Sequence, residues 1–270
     1  MALEGESVVR HYGRPGLVER LLDDLEARGG DRSRPSAAGF RAMDQLHGGG
    51  FAATQAMAAL AGVAPGMRVL DAGSGLGGSS RYLAETFGVR VEAVDLTPEF
   101  VQAAREIDRL CGTDGLIRAQ VGSVTALPFP DGEFDLVWSH YVAMNVSEKA
   151  ALFGEAFRVL KPGGRFAFAM LAQGPGGAPH YPLPWARDSS YSFLVTPEEA
   201  LAGIEVAGFE LREVRMPPPA QQQPATMGDQ GLAPKTAAMG DDMAQREENS
   251  RRSVAEGRLQ PMMVLAVRPG

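Results

Sequence analysis

The sequence is poor in the residues that build several common kinds of site. Among its 270 residues there is one cysteine, Cys111, which excludes an internal disulfide framework and a cysteine-based zinc site. Its four histidines are dispersed without an H-x-x-x-H pair, so no metal site is expected. No apolar run approaches the roughly eighteen residues of a membrane span. The first ten residues hold two acidic side chains and no apolar segment, so no signal peptide is expected.

Positive charge is also in short supply. The formal net charge is −7, which argues against nucleic acid or an anionic membrane surface as a partner. Hydrophobic residues at 44% and charged residues at 22% are ordinary for a globular protein. With a single thiol as well, we expect a cytoplasmic protein, monomeric or homodimeric, whose partner is a small molecule.

From Met67 onward, apolar runs alternate with amphipathic stretches. Because most of these runs are apolar on both faces, they predict a parallel sheet covered by helices on each side, a doubly wound α/β fold. The predicted helices are 77–87, 98–110 and 148–160, and the seven predicted strands are 67–71, 89–95, 115–121, 134–139, 164–171, 208–214 and 259–267.

Residues 1–64 differ in pattern and predict an N-terminal helical cap and cofactor lid. A helix is expected from Leu17 to the stop at Gly29-Gly30, a linker over 31–40, and a second helix over 51–61. Residues 65–270 then form the α/β domain. Two long excursions interrupt it, at about 172–196 and 217–257, and we expect both on the substrate side.

The stretch V-L-D-A-G-S-G-L-G-G (69–78) joins the first strand to the next helix. Gly73, Gly75 and Gly78 satisfy G-x-G-x-x-G, and Asp95 follows about twenty residues on, so a dinucleotide site is formally possible. Asp71 before the turn would repel a pyrophosphate and accept from an ammonium group. Asp95, at the end of the second strand, either reaches the two hydroxyls of a ribose or caps the following helix.

Four blocks in this order resemble the class I S-adenosylmethionine-dependent methyltransferases of the UbiE/sterol-methyltransferase-like group. They are V-L-D-A-G-S-G-L-G-G, V-E-A-V-D-L-T, A-L-P-F-P-D-G-E-F-D-L-V-W and E-A-F-R-V-L-K-P-G-G-R-F. The resemblance implies a Rossmann-like sheet whose last strand is antiparallel, with S-adenosylmethionine as cofactor and S-adenosylhomocysteine as product.

Three further segments resemble the bacterial sarcosine/dimethylglycine N-methyltransferase-like branch, which methylates small amines. They are D-Q-L-H-G-G-G-F-A-A-T (44–54), S-H-Y-V-A-M-N-V-S-E-K (139–149) and Y-P-L-P-W-A (181–186).

The resemblance also assigns cofactor-binding residues. Gly73, Ser74, Gly75 and Gly77 would line the methionine part, Asp95 would hold the ribose, and Leu96 would lie beside the adenine. The family usually has an aspartate where this chain has Ser123, followed here by Val124, to accept from the adenine amino group. His140, at the end of the fourth strand, would face the cofactor carboxylate or the substrate.

The remaining candidates concern the methyl acceptor. His140 and His47 are candidate general bases, although His47, ahead of three glycines, could simply be a loop residue. Asn145 could bind polar groups of the substrate or assist catalysis, and Met144 beside it is either substrate-binding or plain core. The aromatic residues Tyr12, Tyr181, Trp185 and Tyr191 could line an amine site by cation–π attraction, or could only pack a lid.

Three functions compete at this stage. The leading one is methylation of a small molecule, with the nitrogen of a small amine such as a methylated glycine preferred. Oxygen or carbon methylation of a phenol, quinol or natural-product intermediate is the alternative within that class. An NAD-dependent oxidoreductase and a non-catalytic cofactor-binding module are the alternatives from other classes.

Overall fold

The computed structural model describes residues 16–216 and 235–270. Tyr12 and residues 217–234, the first part of the second excursion, lie outside the described residues. The helices described are α1 Leu17–Ala27, α2 Ala37–Asp44, α3 Gly50–Ala61, α4 Gly78–Phe87, α5 Pro98–Cys111, α6 Lys149–Val159, α7 Pro197–Val206, α8 Thr236–Met239 and α9 Met243–Ala255. The strands are β1 Arg68–Ala72, β2 Arg90–Asp95, β3 Ile117–Val121, β4 Phe134–His140, β5 Leu160–Gln173, β6 Glu210–Arg215 and β7 Leu259–Val267.

The strands form one seven-stranded sheet in the order β3-β2-β1-β4-β5-β7-β6. The five strands from β3 to β5 are parallel to one another, and β7 is antiparallel to both β5 and β6. The expected Rossmann-like, mostly parallel sheet with an antiparallel last strand is confirmed. The strand order reverses between β1 and β4, and in open α/β sheets ligands bind at the carboxyl ends of the strands beside such a reversal.

Hydrophobic side chains cover both faces of the sheet. One buried cluster includes Phe153, Phe166 and Phe168, and a second on the other face includes Leu83, Val91 and Trp138. Among the described residues, no helix is long and apolar enough to cross a membrane.

The N-terminal helices pack directly on the α/β domain. Leu21 and Phe40 are fully buried and share a cluster with Phe100 on α5 and Met239 on α8. The part of the second excursion that forms α8 therefore packs against the N-terminal helices, and both contact α5.

One local prediction is wrong. The linker expected over 31–40 ends early, because α2 begins at Ala37, with the Ser36 side chain accepting from the Gly39 backbone N–H. Serine before a helix is a standard N-cap, and the Ser/Pro/Gly-rich composition of the segment concealed it. A capping box forms at the start of α7, where the Thr196 side chain accepts from the Glu199 backbone N–H and the Glu199 side chain accepts from the Thr196 backbone N–H.

Candidate functional site

The glycine turn between β1 and α4 follows a path that only glycine adopts at low cost. Gly73, Gly75 and Gly77 have φ of +88°, +54° and +77°. The backbone N–H groups of Gly73 and Ser74 donate to the Val94 carbonyl on β2. The turn is thereby fixed to the neighbouring strand at its carboxyl end.

Close packing at the strand reversal explains why the first glycine is required. A Cβ atom added at Gly73 would lie 2.2 Å from Cγ2 of Val142, which follows β4. At Gly75 the nearest atom to such a Cβ is Cδ1 of Leu46, at 3.6 Å. The turn therefore touches the loop after β4 and approaches the N-terminal segment that carries His47.

Two carboxylates lie at the carboxyl ends of β1 and β2. Asp95 accepts from the Gly75 N–H through Oδ2 at 2.8 Å and from the Thr97 N–H through Oδ1 at 2.9 Å. Asp71 is 2% exposed and accepts from the Ser80 hydroxyl at 2.6 Å. Burial raises the pKa of Asp71 to about 7 and also raises the pKa of Asp95. A nearby cation would favour the charged form of either group.

His140 and His47 meet beside this turn. Their ring centroids are 3.8 Å apart, and the Tyr141 ring lies 5.2 Å from His140 and 5.6 Å from His47. Tyr141 has φ of +62°, an uncommon conformation for a residue with a side chain. The sequence blocks containing the two histidines are therefore brought into direct contact by the fold.

Burial keeps both histidines neutral. His140 is 7% exposed, and burial together with the neighbouring His47 holds its pKa well below the usual value. Burial also lowers the pKa of His47 to about 3. Among the described residues, neither ring nitrogen of His140 has a hydrogen-bond partner, and the same holds for Nε1 of Trp138 and the hydroxyl of Ser139 on β4. Buried polar atoms left unpaired cost free energy and are rare outside functional sites.

Hydrogen bonds position the His47 ring from its own segment. Its Nε2 lies 3.2 Å from Oε1 of Gln45 and 3.1 Å from Oγ1 of Thr54, while Nδ1 lies 3.1 Å from the Gly48 carbonyl. The Thr54 hydroxyl also donates to Gln45 Oε1 at 2.6 Å. Gln45 and Thr54 are buried, and sequence analysis did not identify either as part of the site.

The residues expected beside the adenine of the cofactor are less polar than those expected beside its methionine part. Leu96 is half-buried after β2, and Val124 is buried in the core. The Ser123 hydroxyl lies 2.8 Å from the Thr125 hydroxyl and accepts from the Thr125 N–H at 3.2 Å. Thr125 is therefore the polar neighbour of Ser123 at this position.

The substrate candidates after β4 are tied to the first excursion. The Asn145 amide donates to the carbonyls of Trp185 and Tyr191 at 3.0 and 3.3 Å. Trp185 is 4% exposed and its indole donates to Ser192 at 3.0 Å, while Tyr191 is 42% exposed. Met144 and Tyr181 pack in or against the main core cluster.

A buried charged group behind the glycine turn also escaped sequence analysis. Arg81 on α4 is 1% exposed and forms ion pairs with Asp44 and Asp108 at 2.9 and 2.8 Å. Nothing in the local spacing distinguishes Arg81 from an ordinary exposed helix residue. Among the described residues, no cluster of three or more acidic, histidine or cysteine side chains suits a metal ion.

Comparison with known proteins gives three results. Residues 70–168 match the family model described as a methyltransferase domain. The chain is 40% identical over 114 residues to a glycine/sarcosine/dimethylglycine N-methyltransferase of Actinopolyspora halophila, covering 42% of this chain and 20% of that protein. It is 43% identical over 100 residues to a 2-methyl-6-phytyl-1,4-hydroquinone methyltransferase of Synechocystis sp., covering 37% of this chain and 30% of that protein.

A solved structure shares the fold. Phosphoethanolamine N-methyltransferase 2 of Haemonchus contortus, bound to S-adenosyl-L-methionine, aligns with a TM-score of 0.66 at 21% identity, over 96% of this chain and 61% of that one. Residues 70–168, which match the family model, contain the glycine turn, both strand-end carboxylates and His140. Residues 70–168 thus match a methyltransferase domain, and the chain shares the fold of a solved methyltransferase.

Proposed function

We propose that this protein transfers the methyl group of S-adenosylmethionine to the nitrogen of a small amine, such as a methylated glycine. The observation that carries the proposal is the neutral His140, buried beside the glycine turn with both ring nitrogens unpartnered among the described residues. Partial identity to a glycine/sarcosine/dimethylglycine N-methyltransferase supports the choice of nitrogen. The single cysteine supports a cytoplasmic location, and we propose a monomer or homodimer.

The residues at the strand ends fit the cofactor. The left-handed glycines keep Cβ atoms away from the turn, and the Ser74 hydroxyl is buried without a partner among the described residues. Asp95 retains acceptor capacity for ribose hydroxyls beyond its two backbone contacts, and Asp71 offers a carboxylate to an ammonium group. S-adenosylmethionine, when bound, supplies an electrophilic methyl group. Asp71 and the family match favour it over the NAD alternative.

The protein's own part in the reaction is positioning and proton removal. Methyl transfer is an in-line displacement, so holding the acceptor in line and excluding water accounts for much of the rate. An amine that carries a proton cannot attack, and neutral His140 can take that proton at a ring nitrogen. His47 contacts the His140 ring, is held by Gln45 and Thr54, and covers this side of the site.

A quinol acceptor is the second candidate, because the chain is 43% identical over 100 residues to a hydroquinone methyltransferase. The same histidine would then remove a phenolic proton instead of an ammonium proton.

Turnover against a panel of acceptors tests the proposal. The purified protein is incubated with S-adenosylmethionine and sarcosine, dimethylglycine, phosphoethanolamine or a methylated hydroquinone, and S-adenosylhomocysteine is quantified by mass spectrometry. Product with sarcosine or dimethylglycine supports nitrogen methylation. Product with the hydroquinone alone would overturn the acceptor assignment, and the absence of calorimetric binding of S-adenosylmethionine would overturn the activity.

A further inference from the structure

One buried guanidinium contacts three separate parts of the structure around the site. Arg81 Nη1 donates to Oδ1 of Asp108 on α5 at 2.8 Å, and Nη2 donates to Oδ2 of Asp44 at the end of α2 at 2.9 Å. Nη2 also donates to the carbonyl of Leu76, inside the glycine turn, at 2.6 Å. The N-terminal segment and the cofactor-binding turn are therefore held by the same side chain.

Charged groups placed this deeply do little for net stability. The Arg81 side chain is 1% exposed, and the side chains of Asp44 and Asp108 are each 2% exposed. The desolvation of three charges offsets much of their attraction, and apolar side chains of similar volume often pack equally well. The arrangement instead fixes the geometry, because a planar guanidinium donates its N–H groups to carboxylates only in defined directions.

From Asp44 the contacts continue to the histidine pair. Asp44 Oδ1 accepts from Nε2 of Gln45 at 2.9 Å, which forces the Gln45 carbonyl oxygen to face the other way. That oxygen lies 3.2 Å from Nε2 of His47, whose ring contacts the His140 ring. Among the described residues, the other side-chain contact of Asp108 is with Thr113, just after α5, so no comparable series of contacts leads from Asp108 to the histidines.

We propose that Arg81 is a positioning residue that acts through Asp44 and Gln45 to set the orientation and proton location of His47 relative to the glycine turn. Both ring nitrogens of His47 face acceptors: Nδ1 faces the Gly48 carbonyl, and Nε2 faces the Gln45 oxygen together with the Thr54 hydroxyl oxygen, whose own proton goes to Gln45. Two acceptors at Nε2 against one at Nδ1 place the proton of the neutral ring on Nε2. This inference rests on the proposed function in one respect, namely that His47 lies beside the bound cofactor.

Asp44→Asn and Asp108→Asn form a matched pair of variants. Each removes one of the two carboxylates that pair with Arg81, at nearly equal distance and burial. In Asp44→Asn, the side-chain oxygen of the asparagine still accepts from Arg81, so the NH₂ group of the asparagine faces Gln45. The Gln45 amide must then turn over and present its own NH₂ group to His47, which moves the ring proton to Nδ1, beside the Gly48 carbonyl.

The direct readout is the ¹⁵N spectrum of the imidazole rings, which distinguishes the protonated from the unprotonated nitrogen. The chain has only four histidines, and His47→Asn identifies the His47 signals. We expect Nε2–H in the wild type and in Asp108→Asn, and Nδ1–H in Asp44→Asn. A purely structural role for Arg81 predicts the same ring spectrum in both variants, and that result would overturn the inference, as would Nδ1–H in the wild type.

Calorimetric titration with S-adenosylmethionine gives the second readout. We expect Asp44→Asn to raise the dissociation constant about tenfold and Asp108→Asn to change it less than about twofold. Gln45→Met, which keeps both ion pairs, is expected to behave like Asp44→Asn in both measurements even if the aspartate variants fold poorly. If the wild type fails to bind, the proposed function fails, while the ring spectra still decide the inference. Equal affinities for all four proteins would contradict it.

Discussion

The rings of His47 and His140 lie in tilted contact, with a centroid separation of 3.8 Å and an interplanar angle of 39°, which joins the N-terminal segment to the end of β4. The contact forms where the loop after β4 also presses on the glycine turn at Gly73. The contact brings together the N-terminal segment, the loop after β4 and the glycine turn at one edge of the sheet. Substitutions of single residues test what each of them contributes.

His140→Gln should lower turnover by about 100-fold or more while leaving the affinity for S-adenosylmethionine nearly unchanged. Glutamine preserves the polarity and approximate size of the side chain but cannot take up a proton at neutral pH. Initial rates with the best acceptor and calorimetric binding check the two quantities separately. His180→Gln is the control. His180 lies in the first excursion and pairs with Glu256 in the second, so the turnover of this variant should match that of the wild type. Equal losses in the two variants would contradict a catalytic role.

The depressed pKa of His140 also predicts how stability depends on pH. The unfolded chain binds a proton at this residue near pH 6.5, whereas the buried ring in the folded protein stays neutral well below that pH. Stability from this group is therefore present above pH 6.5 and is lost as the pH falls, by about 1.4 kcal/mol at pH 5.5.

Urea denaturation of the wild type and of His140→Gln at pH 7.5 and 5.5 isolates that contribution. The wild type should lose about 1.4 kcal/mol more than the variant between the two values, because titrating groups distant from the His47–His140 pair contribute equally to both proteins. Parallel losses would mean that His140 titrates normally in the folded state.

Asp95→Asn should raise the dissociation constant for S-adenosylmethionine by about 10- to 100-fold. The carboxylate serves Gly75 and Thr97 with separate oxygens, and asparagine has only one acceptor to divide between them and a ribose. Asp135→Asn removes a carboxylate at the opposite edge of the sheet, where it pairs with Lys161, and should leave binding unchanged. Unchanged binding in Asp95→Asn would reject the ribose assignment.

Gly73→Ala and Gly75→Ala should differ in their effects on stability. Gly75→Ala suffers only the left-handed backbone penalty of about 1 kcal/mol, because its nearest neighbour is 3.6 Å away. Gly73→Ala adds a clash with Val142 and should lose about 3 kcal/mol or more. The free energy of unfolding from denaturant titration measures both. Similar losses would indicate that Val142 moves aside without cost.

The strand-end features of the site were predictable because their signals are local in sequence. Asp71, the glycines and Asp95 each follow an apolar run, and parallel strands bring their carboxyl ends to one edge. The N-cap at Ser36 was equally local, yet the surrounding proline and glycine outweighed it.

The tertiary contacts of the site could not be predicted in the same way. Arg81 lies on a helix with ordinary spacing, and only the packing of α2 and α5 on either side converts it into a buried ion-pair centre. The orientation of His47 depends on Gln45 and Thr54, whose side chains carry no motif. Such contacts depend on the relative placement of helices, which residue patterns do not specify.

Asn145→Ala should raise KM for the methyl acceptor about tenfold and leave the affinity for S-adenosylmethionine unchanged. The amide donates to the carbonyls of Trp185 and Tyr191, so its loss releases the excursion that borders the substrate side. Asn145→Asp should act more strongly, because a carboxylate faces the same carbonyls and repels them. Ser192→Ala, which removes the partner of the Trp185 indole, should give a weaker effect of the same kind. A fall in kcat at constant KM would instead assign Asn145 to the chemical step, one of the two roles that the sequence suggests, and steady-state kinetics at saturating cofactor distinguishes the two.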